Sequence, residues 1–196
     1  MKKEYLLDLI QRVSELTGIV APVIVGSQSL FAVTENVPAI VKDSVECDFL
    51  LASGGIQAIQ IVNETLGILS PFSVAHGYFA DGLGLATVVL TPGWKDRLLS
   101  LADEHGQVVA HCLEPHDAAV SKLMAGREKD FIFILTLLDS RLITLATLIE
   151  RAALIQDTAS AGALLPRLKK LLDHLRGHYR NQELQPLLEL ISQLSS

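Results

Sequence analysis

The sequence predicts an α+β fold: a mixed β-sheet with flanking helices and a C-terminal helical region. Three observations predict it. Short apolar runs alternate with helical patterns between residues 19 and 66, as expected of a chain that layers helices on a sheet. The later strand candidates are short and broken by Gly and Pro, which favours a mixed sheet over a repeated doubly wound one. From Pro115 onward the apolar spacing is helical. The expected division is an α/β core over residues 1–115 and a helical region over residues 116–196 that completes or covers it.

Taken in order, Tyr5, Leu6, Leu9, Ile10, Val13 and Leu16 recur at helical spacing, and Thr17-Gly18 stops that helix. Ile19 to Val25 is a continuous apolar strand candidate apart from Pro22. It ends at Gly26-Ser27, and Gln28 to Val33 starts a short helix. Thr34 to Ser44 reads as an irregular connection. Val45 to Leu51 is the next strand, with Glu46 and Asp48 on one face and Val45, Cys47 and Phe49 on the other. Ile56 to Leu66 is a helix. The tract from Ser73 to Gly82 reads as a shaped loop or hairpin, and Leu85 to Leu90 as a clear strand. Trp94 to Leu101 is a short helix or turn, and Gln107 to Cys112 a further strand. The helical half holds segments near 117–123, 128–138, 140–155, 164–175 and 183–194. The apolar stripe Leu164, Leu165, Leu168, Leu171, Leu172 and Leu175 packs on the preceding helices, with a homodimer contact as the alternative.

A chain of 196 residues buries a core without a disulfide or metal staple. The formal charge is −6, which argues against a broad nucleic-acid surface. It is uneven: residues 1–115 hold 6 basic and 13 acidic side chains, residues 116–196 hold 10 and 9. Cys47 and Cys112 read as core thiols. Asp8, Arg12 and Glu15 interrupt the first apolar pattern, so no signal peptide is expected there. Asp139 and Arg141 interrupt the run from Phe131 to Ile149, so no membrane span is expected either. A cytoplasmic protein is the expectation.

The acidic pair carries the chemistry. Two carboxylates two positions apart on one strand face can share Mg²⁺, a hard cation that favours oxygen ligands and binds substrate phosphates. Gly26-Ser27 offers otherwise unpaired turn amides near the same sheet, where a phosphate can be held. The competing explanation for Glu46-x-Asp48 is a solvated strand face.

This combination resembles the nucleotidyltransferase superfamily related to DNA polymerase beta, in which a Gly-Ser motif after a strand is followed by a strand bearing two acidic residues. That family usually has Asp first, so Glu46 is a departure. The segments 19–30, 44–50 and 116–137 look more closely like bacterial nucleotidyltransferase-like proteins of the AbiEii toxin type. Glu114-Pro115-His116-Asp117, Ser121-Lys122-Leu123 and Ala125-Gly126-Arg127-Glu128-Lys129-Asp130 carry much of that similarity. The resemblance implies a Mg²⁺-dependent (or Mn²⁺-dependent) transfer of a nucleoside monophosphate from an NTP, with pyrophosphate release. Glu46 and Asp48 would be metal ligands, with Asp130 as a third acidic group and Asp117 its competitor. Gly26, Ser27 and Lys122 would steady phosphate. The acceptor would be an RNA end, a protein hydroxyl or a small molecule. A cognate antitoxin or regulatory protein is the partner implied. The alternative is an inactive nucleotidyltransferase-like binding protein.

Other motifs carry less. The histidines do not form a zinc pattern, and His174 and His178 read as a surface pair. Gly26-Ser27-Gln28-Ser29 is not a nucleophile elbow. Gly77, Gly82 and Gly84 serve turns rather than a dinucleotide fingerprint.

Overall fold

The computed structural model describes residues 1–195, the side chain of Asp157 apart. It bears out the mixed sheet, flanking helices and C-terminal helical region. The chain divides into two compact units, residues 1–88 with 95–114 and residues 89–94 with 115–196.

The first unit opens with α1 (Lys3–Thr17), which buries Leu6, Leu9, Ile10 and Val13 and ends at Gly18 in the left-handed region. β1 is only Val23–Ile24, far shorter than its apolar run. Pro22 has no N–H to give a ladder, and Ala21 sits at φ 51° just before it. A 3-10 turn (Ser27–Ala32) follows, then the single-turn α2 (Ala39–Lys42) inside the expected irregular connection. β2 (Glu46–Leu50) leads into α3 (Gly55–Leu66) and α4 (Pro71–His76). β3 (Phe79–Leu83), β4 (Leu99–Ala102) and β5 (Val108–Cys112) complete the sheet. Its order is β3-β2-β1-β5-β4, with β2–β3 and β1–β5 parallel and the other two pairings antiparallel.

Two local expectations are corrected. The tract from Ser73 holds α4 and then β3 rather than a hairpin, because the Ser70 hydroxyl caps the Ser73 N–H and Pro71 starts the helix. Leu85 to Leu90 is not a strand. Thr87 folds its N–H and hydroxyl back onto the Gly84 carbonyl, closing a 3-10 turn over Leu85–Thr87. Its last residues then leave the first unit.

Cys47, Phe49, Ala80 and Cys112 are buried on the sheet. Burial pushes the Cys47 thiol well up and that of Cys112 to about 12, as inert core thiols require. On the flank of this unit Tyr5 stacks on Tyr78, Phe72 on His76, and the Tyr78 hydroxyl donates to Asp8 at 2.9 Å. The Arg12 guanidinium of α1 lies over the Phe72 ring, 5.0 Å from its centroid, and ties α4 to α1.

The second unit is helical: α5 (Pro115–Ala125), α6 (Glu128–Asp139), α7 (Leu145–Ala153), α8 (Ala161–Leu175) and α9 (Gln185–Gln193). The segment 89–94 packs with it through Thr91, whose hydroxyl donates to Asp117 at 2.6 Å, both groups buried. His174, read as a surface residue, stacks on buried Phe131, and its nitrogens meet the Glu128 carboxylate and the Lys170 carbonyl. Among the described residues no helix is long and apolar enough to cross a membrane.

Candidate metal centre

Strand alternation puts Glu46 and Asp48 on one face of β2 and sends Cys47 and Phe49 into the core. β3 lies parallel beside it, with Glu46 opposite Phe79 and Asp48 opposite Asp81. Phe79 and Asp81 therefore share the acidic face, while Ala80 packs inward beside Cys47. One oxygen from each of Glu46, Asp48 and Asp81 lies within 4.8 Å of the others, and all three residues are half-buried. Burial first, and the charge of Asp48 second, raise the Asp81 carboxyl above the usual carboxylate range.

The Gly26 turn presses against this face. The Val25 N–H donates to the Asp48 carbonyl at 3.0 Å. A Cβ at Gly26 would overlap the Asp48 carboxylate, so the backbone approaches that group as only glycine allows. Ser27 begins the 3-10 turn directly afterwards.

A cleft of about 310 Å³ opens beside the carboxylates, lined by Glu46, Asn63, Gly67, Ile68, Phe79 and Asp81. Asn63 is committed to the fold. Its Nδ2 donates to the Gly82 carbonyl at 3.1 Å and its Oδ1 accepts the Gly82 N–H at 2.6 Å. It thereby replaces a neighbouring strand at the outer edge of β3. The polar chemistry in this lining is left to Glu46 and Asp81.

Three hard oxygen donors on two adjacent strands suit a divalent cation such as Mg²⁺ or Mn²⁺, with room for phosphate and water in its remaining positions. A cation there would also relieve the repulsion that raises Asp81.

Of the residues singled out in the sequence, Glu46, Asp48, Gly26 and Ser27 lie together in the first unit. Lys122 and Asp130 meet in the helical unit. Asp130 is 2% exposed and accepts from the Arg127 backbone N–H (3.0 Å), Nε (2.8 Å) and Nη2 (3.1 Å). The Lys122 Nζ is 4.0 Å from it. Asp117 holds Thr91. Asp81 was not anticipated as a site residue. Its signal was the alternation Phe79-Ala80-Asp81-Gly82-Leu83, obscured by the surrounding glycines, and its partners came only with strand register.

Residues 4–161 match the family described as "Nucleotidyltransferase of unknown function (DUF6036)". The chain belongs to this family. No curated protein and no solved structure matches it. This DUF6036 chain thus combines a nucleotidyltransferase-like family with a cluster of carboxylates able to hold a divalent metal.

Proposed function

We propose that this DUF6036 protein transfers a nucleoside monophosphate from an NTP to an acceptor hydroxyl, with Glu46, Asp48 and Asp81 as the metal ligands. The observation that carries the reading is the meeting of these three carboxylates against the Gly26-Ser27 turn. A divalent ion held there would neutralise triphosphate charge and favour in-line displacement at the α-phosphorus.

The chain's own groups have separable tasks. Asp48 and Asp81 face each other across β2 and β3, and Glu46 extends the ligand set toward the cleft. Gly26 allows the turn to lie against Asp48, and the amides that follow steady phosphate oxygens. Lys122 is assigned to phosphate by the AbiEii-type resemblance alone, which also extends the proposal to a cytoplasmic bacterial toxin. A second reading, an inactive ligand-binding relative, is favoured by Glu46, whose longer side chain replaces the usual aspartate.

Titration with Mn²⁺, followed by the loss of its free paramagnetic signal, tests the centre. Wild type is expected to bind saturably and to bind a nonhydrolysable NTP analogue more tightly with Mg²⁺. The Asp48→Asn/Asp81→Asn double variant is expected to lose at least 100-fold in Mn²⁺ affinity. Retained binding in a folded double variant would refute the assignment. Binding without pyrophosphate release, across all four NTPs and varied acceptors, would select the inactive reading.

A further inference from the structure

The cleft beside the carboxylates has a one-sided chemistry. Its six lining residues include two carboxylates, an amide already spent on Gly82, and the apolar pair Ile68 and Phe79, but no Lys or Arg. The unit around it carries six Lys and Arg against thirteen Asp and Glu, a net charge of −7. An RNA or DNA acceptor needs its backbone phosphates neutralised by basic side chains, and its bases read by free hydrogen-bonding groups or accessible stacking surfaces. A bound cation offsets the charge of the NTP, not that of a further polynucleotide backbone.

The apolar side of the cleft continues outward. Ile68 belongs to the short connector between α3 and α4, where Leu69 follows at φ 66° and is 85% exposed. A leucine in the left-handed region is uncommon, and here the backbone holds it in water. On α4, Val74 is 77% exposed. Ile68, which lines the cleft, and Leu69, next to it in the chain, turn adjacent large apolar side chains to solvent, and adjacent exposed apolar groups offer a surface to another molecule.

We infer that the acceptor at this centre is a polypeptide. Its Ser, Thr or Tyr hydroxyl enters the acidic cleft while apolar neighbours rest on Ile68, Leu69 and Val74, and a basic neighbour meets the surrounding negative charge. The inference rests on the nucleotidyltransferase reading above. The hydroxyl oxygen forms a bond to the α-phosphorus and the α–β phosphoanhydride bond breaks. Pyrophosphate leaves, and the hydroxyl proton is released to water. The product is a nucleoside monophosphate joined to the side chain by a phosphodiester.

The test uses the full chain, Mg²⁺ and α-phosphate-labelled NTPs against two acceptor sets. One is a synthetic peptide array presenting Ser, Thr and Tyr between Leu/Lys or Leu/Asp flanks; the other is total tRNA. Label is expected in the peptides, at least 10-fold more with Leu/Lys than with Leu/Asp flanks. Leu69→Asn, which tolerates the left-handed backbone, and Val74→Asn are expected to lower peptide labelling about 10-fold and leave Mn²⁺ affinity unchanged. Label in tRNA, or peptide labelling indifferent to both variants, overturns the inference. Unlabelled peptides beside Mg²⁺-dependent pyrophosphate release to another acceptor overturn it alone, whereas NTP binding without any pyrophosphate release overturns the transfer reading with it. Loss of both NTP and Mn²⁺ binding in wild type overturns the underlying reading with it.

Discussion

Asp81 and Asp130 are both drawn out of bulk water, Asp81 half-way and Asp130 almost wholly, and they sit in surroundings of opposite sign. Asp81 lies with Glu46 and Asp48, and its carboxyl is raised by burial and by Asp48. Asp130 accepts three N–H bonds from Arg127 and has the Lys122 ammonium at 4.0 Å. A carboxylate already enclosed by cations caps a helix and joins an ion pair. Carboxylates gathered with one another raise a neighbour's carboxyl, as Asp48 raises that of Asp81, and offer oxygen donors that a divalent ion can use. The third acidic group sought for the metal is therefore proposed to be Asp81, which register brings opposite Asp48.

The largest effect separating the two sites is expected at Gly26. A Cβ there would overlap the Asp48 carboxylate, and the backbone that carries it is tied to β2 by the Val25–Asp48 hydrogen bond. Gly26→Ala should cost about 3 kcal/mol by overpacking, read by urea denaturation, and should displace Asp48 enough to weaken Mn²⁺ binding at least 10-fold. An alanine variant with unchanged stability and affinity would mean that the close approach is unimportant.

Asp130→Ala comes next. It removes the acceptor that holds the first turn of α6 and leaves the partly buried Lys122 without that carboxylate. A loss of about 2 kcal/mol is expected, with Mn²⁺ affinity untouched. Loss of the Mn²⁺ site in this variant, still folded, would restore Asp130 to the ligand set and remove the contrast.

The smallest effect is also the sharpest in sign. The folded-state carboxyl of Asp81 is raised above its ordinary 3.8, so the native state holds this proton more tightly than the unfolded chain. Metal-free stability therefore falls as pH rises from about 3.8 through the raised value, and the deficit persists above it. Asp81→Asn should match wild type near pH 3 and exceed it at pH 7, by only ~1–2 °C in Tm because a half-exposed group is screened by solvent. Saturating Mg²⁺ should reverse the order at pH 7, since wild type alone gains the binding free energy. Scanning calorimetry with and without Mg²⁺ checks both signs. A variant less stable than wild type without metal would show that Asp81 is a structural group like Asp130.

Glu46 and Asp48 were legible because both sit on one strand, where a period of two assigns the face locally. The helices α1, α3, α6 and α8 were legible because their apolar spacing repeats over several turns. Leu85 to Leu90 misled because an apolar run has the same composition whether it pairs in a sheet or begins in an exposed 3-10 turn, as Leu85–Thr87 do. The stacking of His174 on Phe131 was not legible because the two rings meet from helices far apart in sequence.

By itself, then, the sequence determined the mixed architecture, the acidic pair, the glycine turn before it and the apolar faces that must be buried. Those properties follow from side-chain chemistry and short-range periodicity. The tertiary structure decided which carboxylate joins the pair, that Asn63 is spent on a strand edge, and that Asp130 serves Arg127. Each of these depends on the register of separate segments or on which groups long-range packing brings within a few ångströms. Spacing along the chain carries no such distance.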